Sequence, residues 1–238
     1  MRKILSLLLI SLSVSAFAVN STASATATAS PTTNKTTNAT VMVKITPCEA
    51  GSPCAAVRDT TQQVMDVINN PSIQDKAVDR VKAIAIPQFD FHLMTKYALG
   101  NNWKLATPKQ QEQLVDLFQT LLIYTYSSAI SKFKNAKFTL VSAATKDIGS
   151  GTNTDKSTAI VISQVLLNNN GANAQPVKVE YDLVHYNNKP WMAYDIKIED
   201  ASLVTTYRNQ FNDVITSSKI DGLIKQLKSK IDSLSKGS

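Results

Sequence analysis

The stretch WMAYDIKIEDASLVTTYRNQF, residues 191–211, decides the fold of this chain. Its first half alternates apolar and polar side chains with a period of two, which predicts a strand with one covered face. One side of that strand is predicted to carry Met192, Tyr194, Ile196 and Ile198, and the other Trp191, Ala193, Asp195 and Lys197. The second half has apolar residues at helical spacing. A strand that leads into a helix is therefore the central predicted element.

Three segments before this stretch show the same alternation. They are KFTLVSAAT (137–145), STAIVISQVLL (157–167) and PVKVEYDLVHY (176–186). Glycine-rich and asparagine-rich segments separate them, and the three residues 187–189 form a short turn into the last strand. Strands joined by short turns pair as antiparallel hairpins. The sequence thus predicts an antiparallel sheet of about four strands.

Helical patterns flank the predicted sheet on both sides. Four precede it, over residues 55–69, 72–86, 87–100 and 107–133, and two follow it, over residues 203–215 and 220–234. The longest begins with Thr107 as N-cap, Pro108 at the first helical position and Gln110 three residues after the cap. Helices grouped before and after hairpin-linked strands predict an α+β fold, a twisted antiparallel sheet flanked by several α-helices.

The N-terminal segment has the pattern of a secretory signal peptide over residues 1–18. Arg2 and Lys3 precede an apolar run that closes with Ala16, Phe17 and Ala18. The run is shorter than the roughly 20 residues that a membrane-spanning helix needs. Residues 19–46, rich in Ser, Thr, Ala and Asn, predict a disordered linker because they offer little apolar surface to bury. Residues 47–238 then form a single predicted domain.

The two cysteines, Cys48 and Cys54, lie in the segment CEAGSPC. Their spacing differs from that of a C-x-x-C redox site, and no histidine lies near enough in sequence to complete a zinc site. Export permits oxidation, so the segment predicts a local disulfide. So short a loop stabilises the fold by about 2 kcal/mol at best.

The charge of the chain is mildly basic. Removing Arg2 and Lys3 from the 25 basic residues leaves 23 against 18 acidic ones, a net charge of +5. The lysines are scattered, which favours a solvated surface, and a patch for anionic lipid or an acidic partner is the alternative. Because the basic residues are not interleaved with aromatic ones, no nucleic-acid partner is predicted.

Residues for catalysis or cofactor binding are sparse. The only histidines are His92 and His185, and the chain has no G-x-S-x-G nucleophile motif. It also has no H-E-x-x-H motif, no aspartate-rich calcium loop and no glycine-rich phosphate loop. The sequence therefore predicts no catalytic site, no metal and no cofactor.

Four segments, taken in order, resemble one known family. They are FDFHLMTKYALGNNW (89–103), LLIYTYSSAI (121–130), VKVEYDLV (177–184) and the stretch 191–211. They resemble the MlaC family, the periplasmic phospholipid-binding proteins of the Mla lipid-transport system, also called the toluene-tolerance family. The resemblance covers about residues 57–234. It implies a soluble periplasmic protein that is not an enzyme and whose apolar cavity holds phospholipid acyl chains.

The resemblance also implies partners and a task. Such proteins carry diacyl phospholipid between an outer-membrane lipoprotein and porin complex and the inner-membrane Mla ABC transporter complex, which helps to maintain outer-membrane lipid asymmetry. Two alternatives from other classes stay open. One is a small exported enzyme with an acid or base in an apolar α+β cavity, and the other is a structural adaptor domain with a filled core.

Candidate lipid-binding residues are apolar and aromatic side chains on elements expected to face each other, although periodicity does not distinguish a filled core from a cavity. They are Met94, Phe118, Leu121, Leu122, Tyr181, Tyr194, Ile196, Ile198, Tyr207 and Phe211. Arg208 lies in the matching segment, and its guanidinium suits a phosphate, so it is the candidate for headgroup or partner contact. The alternative for Arg208 is an ion pair with Asp195, Glu199 or Asp200.

Overall fold

The structure is a computed structural model that describes residues 48–147, 156–167, 175–187 and 189–236. The predicted signal peptide, residues 1–18, and the predicted linker, residues 19–46, lie outside the described residues. Within these ranges, no helix combines the length and apolar character needed to cross a membrane.

Five strands of the described residues form one antiparallel sheet, so the predicted α+β class with an antiparallel sheet is confirmed. In chain order and in spatial order they are β1 (Lys137–Asp147), β2 (Lys156–Leu166), β3 (Val177–Tyr186), β4 (Met192–Ile198) and β5 (Ala201–Ser202). The count of about four strands missed β5, which has two residues and is too short to show a period. Glu199 and Asp200, both with positive φ, form the turn that lets β5 pair with the end of β4.

The α-helices of the described ranges lie before and after the sheet, as the sequence predicts. They are α1 (Pro53–Asn69), α2 (Ala77–Ala85), α3 (Phe91–Leu99), α4 (Pro108–Ser127) and α5 (Leu203–Ser235). Short 3₁₀ turns at Pro71–Lys76, Ile86–Gln88 and Gly100–Leu105 join the first four helices, and one at Ile130–Phe133 lies between α4 and β1.

Helix ends follow the sequence signals at some positions and depart from them at others. Thr107 and Gln110 form the predicted capping box of α4. α2 begins at Ala77 rather than near Ser72, because the Asn70 side chain accepts a hydrogen bond from the Ser72 N–H at 2.9 Å and starts a 3₁₀ turn instead. α4 ends at Ser127, and a 3₁₀ turn replaces its predicted last turn.

The two predicted C-terminal helices form one element, α5, with a break between them. Lys219 has φ +59° and ψ −170° inside this helix, which is non-helical backbone. Residues before the break pack on α3 and α4, and Ile220, Leu223 and Leu227 after it are also buried. The break thus lets both halves of α5 bury an apolar face against the same core.

In the part of the chain that the structure describes, buried apolar residues form two clusters. The first, here called the helical core, lies between α3, α4 and α5 and includes Met94, Leu114, Phe118, Leu121, Phe211 and Leu227. The second, here called the sheet cluster, consists of Val57 of α1 with Ala159, Val161, Leu183 and Ala193 of the sheet. Phe89 is half-buried and packs against both clusters.

One face of the sheet, here called the inner face, is mostly apolar. Across the four long strands its rows are Ala143, Val161, Tyr181 and Ile196, then Leu140, Ser163, Val179 and Ile198. A third row carries Ala159, Leu183 and Ala193. β2 alternates as a one-sided strand should, since Ala159, Val161 and Ser163 are buried and Ile160 is exposed.

A β-bulge in β4 changes the predicted faces of that strand. Asp195 pairs with Asp182 and Ala193 pairs with Leu183, so Tyr194 is an extra residue between two ladder positions. Ala193 therefore shares the inner face with Ile196 and Ile198, whereas Met192 lies on the other face. The prediction that Met192, Tyr194, Ile196 and Ile198 share one side was wrong, because strict alternation does not continue through a bulge.

The other face of β3 and β4, here called the outer face, carries charges. The Lys197 Nζ lies 2.6 Å from the Glu180 Oε1 and 3.1 Å from the Asp182 Oδ2. Burial raises the pKa of the Asp182 carboxyl, and the Lys197 ammonium opposes that rise. Burial lowers the pKa of Lys197, but its hydrogen bonds to the two acids outweigh this and raise it. These charges distinguish this part of the outer face from the apolar rows of the inner face.

The strand-to-helix junction is fixed by Asp195. Its Oδ1 accepts a hydrogen bond from the Val204 N–H at 3.1 Å, and its Oδ2 accepts one from the Ser202 hydroxyl at 2.5 Å. Ser202 is the N-cap of α5 and accepts from the Thr205 N–H at 2.9 Å. The negative charge of a buried carboxylate at the start of a helix also interacts favourably with the helix dipole. Asp195 therefore holds α5 in place on β4.

The predicted disulfide between Cys48 and Cys54 is confirmed, with a Cα–Cα distance of 5.3 Å. It lies at the start of α1, where the Ser52 side chain accepts a hydrogen bond from the Ala55 N–H. The Arg58 guanidinium also donates to the Cys48 carbonyl at 3.1 Å. The disulfide loop is thus attached to the first turns of α1.

Replacing both Cys48 and Cys54 with serine is expected to lower the free energy of unfolding by about 2 kcal/mol, because the unfolded chain regains the entropy that the short loop removes. Urea denaturation of the oxidised wild type and the double variant measures this. Reduction of the wild type should reproduce the loss, and an unchanged midpoint in both cases would contradict it.

Candidate functional site

A cavity of about 70 Å³ lies between α1 and the inner face of the sheet. We call it the sheet cavity. α1 contributes Ala56, Val57, Thr60 and Thr61 to its lining. The sheet and the segments next to it contribute Gln88, Phe89, Tyr181, Leu183, Trp191 and Ala193. The inner face therefore forms one wall, and α1 forms the opposite wall.

The lining of the sheet cavity is largely apolar. The lining residues with polar side-chain groups are Thr60, Thr61, Gln88, Tyr181 and, through its indole N–H, Trp191. Burial raises the pKa of the Tyr181 phenol, and a hydrogen bond with the Ser163 side chain partly offsets this. Ser163 is itself fully buried. An apolar space with a few fixed polar groups is typical of a ligand-binding cavity.

α1 covers the sheet cavity and is held down near its two ends. Val57, in the second turn, is 6% exposed and packs into the sheet cluster. Ile68, in the last turn, is 4% exposed, and the neighbouring Asn69 side chain accepts a hydrogen bond from the Asn135 N–H at 2.8 Å. Between these ends, Thr60 and Thr61 line the sheet cavity. The middle of α1 therefore presents two hydroxyl-bearing residues to the cavity.

Three of the predicted lipid-binding residues lie on the inner face. Tyr181 lines the sheet cavity, and Ile196 is its direct partner on β4. Ile198 follows in the next row, opposite Val179. All three are half-buried, so the apolar surface that begins at the cavity continues along the sheet.

Six of the predicted residues lie together in the helical core. They are Met94, Phe118, Leu121, Leu122, Tyr207 and Phe211. The Phe118 ring makes edge contacts with the rings of Tyr207 and Phe211, with centroids 4.9 and 5.2 Å apart. Phe118 is fully buried. The structure thus brings these six residues together, in a cluster other than the one that borders the sheet cavity.

Tyr194 stands apart from both groups because of the bulge in β4. Its ring makes an edge contact with the Tyr97 ring of α3, with centroids 5.5 Å apart. Burial, together with the nearby Asp182 carboxylate, raises the pKa of Tyr194 to about 12. Tyr194 therefore packs β4 against α3.

Arg208 binds a helix end. Its Nε donates a hydrogen bond to the Tyr97 carbonyl oxygen at 2.8 Å, in the last turn of α3. The positive charge of the guanidinium also interacts favourably with the helix dipole at this end. The three acids proposed as its alternative partners have other contacts. Asp195 caps α5, Glu199 accepts from the Lys178 N–H and Asp200 pairs with the Lys178 ammonium. The ion-pair alternative for Arg208 was therefore wrong.

The two histidines pack against tryptophan rings. His92 makes an edge contact with Trp103, and His185 lies against Trp191 with ring centroids 5.1 Å apart. The His185 Nδ1 is buried and has no hydrogen-bond partner in the part of the chain that the structure describes. Across those same residues, no group of three or more His, Cys, Asp or Glu side chains could hold a metal ion.

The prediction of site residues missed most of the cavity lining. Val57 and Thr61 lie on the apolar face that the period of α1 indicates, so their burial was predictable. Phe89 and Trp191 are aromatic residues next to predicted elements. No local pattern, however, indicates that α1 lies over the sheet, because that contact joins segments far apart in the chain.

A solved structure of similar fold comes from Ralstonia solanacearum and is described as a phospholipid-binding protein in complex with a phospholipid. It is 31% identical to this chain, with a TM-score of 0.61. The match covers 76% of this chain and 98% of the Ralstonia chain. The similarity therefore includes nearly the whole of that protein.

The family model described as MlaC protein matches residues 58–229. The matched region begins in α1 and ends in α5, so it contains all five strands and every residue that lines the sheet cavity except Ala56 and Val57. The resemblance that the four sequence segments indicate is thus confirmed, and the chain belongs to the MlaC family.

Proposed function

We propose that this protein binds a phospholipid and holds its acyl chains in the sheet cavity, between α1 and the inner face. The observation that carries the proposal is the apolar lining of that cavity and its continuation along the inner face through Ile196 and Ile198. The phospholipid complex of the similar Ralstonia protein supports the same class of ligand.

The energetics explain why a lipid needs such a cavity. Each methylene removed from water contributes about 0.8 kcal/mol, so a free diacyl phospholipid crosses an aqueous space at very high cost. An apolar lining removes that cost by replacing the contact between chain and water. Few polar groups are then needed, and the lining supplies them from Thr60, Thr61, Gln88, Tyr181 and the indole N–H of Trp191.

Binding of an acyl chain requires the sheet cavity to grow. Its volume of about 70 Å³ is several times smaller than the roughly 300–1,000 Å³ of typical ligand pockets. The inner face is fixed by the backbone ladders of four strands, whereas α1 rests on it through side chains such as Val57. We propose that α1 moves away from the sheet as the lipid enters, since this breaks no ladder hydrogen bonds.

Membership of the MlaC family supports a proposal about the compartment in which the protein binds phospholipid and about its role in transport. We propose a periplasmic carrier that moves phospholipid between the outer and inner membranes and so helps to maintain outer-membrane lipid asymmetry. Its proposed partners are the inner-membrane Mla ABC transporter complex and the outer-membrane lipoprotein and porin complex. A signal peptide over residues 1–18 and a linker over residues 19–46 belong to the same proposal.

The protein is proposed to act as a carrier without catalysis. His92 and His185 pack against tryptophan rings, and neither lines the sheet cavity. Arg208 stays a proposal for headgroup or partner contact, because it is exposed and its hydrogen bond to the end of α3 uses its Nε.

The mature protein tests this proposal directly. After purification, extraction with organic solvent is expected to release diacyl phospholipid in near-equal molar amount to protein. The same protein should speed the movement of labelled phospholipid between donor and acceptor vesicles. A protein that yields no phospholipid and does not take any up from vesicles would refute the proposal.

A further inference from the structure

We propose that the ring of Phe89 is the end wall of the sheet cavity and sets the length of acyl chain that the cavity accepts. The inference rests on the proposed function and goes beyond it, because it assigns chain-length selectivity to one side chain.

The position of Phe89 between two apolar clusters is the first observation. Its side chain lines the sheet cavity, and it packs against both the sheet cluster and the helical core. On the core side, its ring stacks on the Phe91 ring with centroids 5.5 Å apart. Phe91 packs against the helical core. The Phe89 ring therefore lies where the sheet cavity would otherwise extend towards that core.

The backbone around Phe89 is held from several sides, which is the second observation. Phe89 forms an isolated bridge with Ala193 of β4, and the Asp90 N–H donates to the Ala193 carbonyl oxygen at 2.9 Å. The Phe89 N–H donates to the Ile86 carbonyl oxygen at 3.2 Å. Its backbone thus moves with the sheet rather than with α1.

The side chain of Asp90 strengthens this attachment. Its Oδ1 accepts a hydrogen bond from the Leu93 N–H at 2.8 Å and so caps α3. Its Oδ2 accepts one from the Tyr186 hydroxyl at 3.2 Å. The Asp90 carboxylate, beside the phenol, contributes after burial to raising the pKa of Tyr186 to about 12. When α1 moves outward, Phe89 is therefore expected to stay in place as a fixed stop.

The size of the ring gives the expected scale of the effect. Burying a phenylalanine side chain contributes about as much free energy as burying roughly two to four methylenes. Removing the ring should therefore let a chain longer by about that number enter. Each extra buried methylene changes the binding constant by a factor of about four. A shift of preference by two carbons is thus large enough to measure.

The experiment uses the mature protein loaded from vesicles that contain equal amounts of phosphatidylglycerols with monounsaturated chains of 14, 16 and 18 carbons. Bound lipids are extracted and their chain lengths are measured by mass spectrometry. Phe89→Ala is expected to shift the bound population to longer chains, and Phe89→Trp is expected to shift it to shorter ones. Phe89→Leu should shift it in the same direction as Phe89→Ala with a smaller loss of packing.

Phe91→Ala is the matched control, because it removes a ring of the same size from the other side of the stacked pair. Phe91 does not line the sheet cavity. It should leave the chain-length distribution close to that of the wild type. Equal distributions in Phe89→Leu, Phe89→Trp and the wild type would overturn the inference, as would a shift in Phe91→Ala equal to that in Phe89→Ala. If the wild type itself binds no phosphatidylglycerol and yields no phospholipid, the proposed function fails instead.

Discussion

Replacing Ala56 with tryptophan is expected to reduce the phospholipid bound by the purified protein by about tenfold or more. Ala56 is half-buried on the wall of the sheet cavity that α1 forms. The indole is a large side chain that buries on the order of 200 Å². It would fill the sheet cavity, whose volume is only about 70 Å³. A tenfold loss corresponds to about two methylenes that no longer find an apolar site. Lipid phosphorus per mole of protein measures the effect.

Gln63→Trp is the matched control for that variant. Gln63 is exposed on the same helix and does not line the sheet cavity, so the same indole there should leave lipid binding close to the wild-type value. Far-UV circular dichroism of both variants checks that they fold. Wild-type lipid content in a folded Ala56→Trp variant would contradict the placement of the acyl chains beneath α1.

Replacing Gly222 with alanine is expected to lower the free energy of unfolding by about 1–3 kcal/mol. A Cβ at this position would clash with the Ser218 Cβ, in the turn of α5 that contains the break at Lys219. Helix propensity alone predicts the opposite sign, a gain of about 1 kcal/mol for alanine over glycine. Thermal unfolding followed by circular dichroism therefore distinguishes the two effects by sign.

Ser218→Gly provides the matched background for this test, because it removes the Cβ that the new methyl group would meet. Ser218 is exposed, so the single substitution should have a small effect. In that background Gly222→Ala should be neutral or stabilising. Stabilisation by Gly222→Ala in the wild type would contradict the expected clash between the new methyl group and Ser218.

The fold was predictable from the sequence where side-chain periods are regular. The alternation in 137–145 and 176–186 predicts strands, and the Thr107 cap predicts the start of α4, because these signals depend on neighbouring residues only. The bulge at Tyr194 was not predictable, since its sequence alternates without interruption. The bulge is a property of the pairing between β3 and β4.

The site was less predictable than the fold. Periods indicate that Phe118 and Phe211 are buried, and they do face each other across α4 and α5. They do not indicate whether such residues fill a core or border a cavity, because both environments select the same apolar side chains. The cover of the inner face by α1 depends on tertiary contacts between the first helix and the sheet. Tyr181 was therefore found as a candidate, whereas Ala56 and Ala193 were not.

The location of the acyl chains is the central claim, and photo-cross-linking measures it most directly. A phosphatidylcholine with a diazirine in one acyl chain is loaded into the mature protein from vesicles, irradiated, and the labelled peptides are identified by mass spectrometry. The account predicts labels in residues 56–61 of α1 and in residues 181–198 of β3 and β4. Labels confined to residues 114–127 and 203–215, in the helical core, would contradict it.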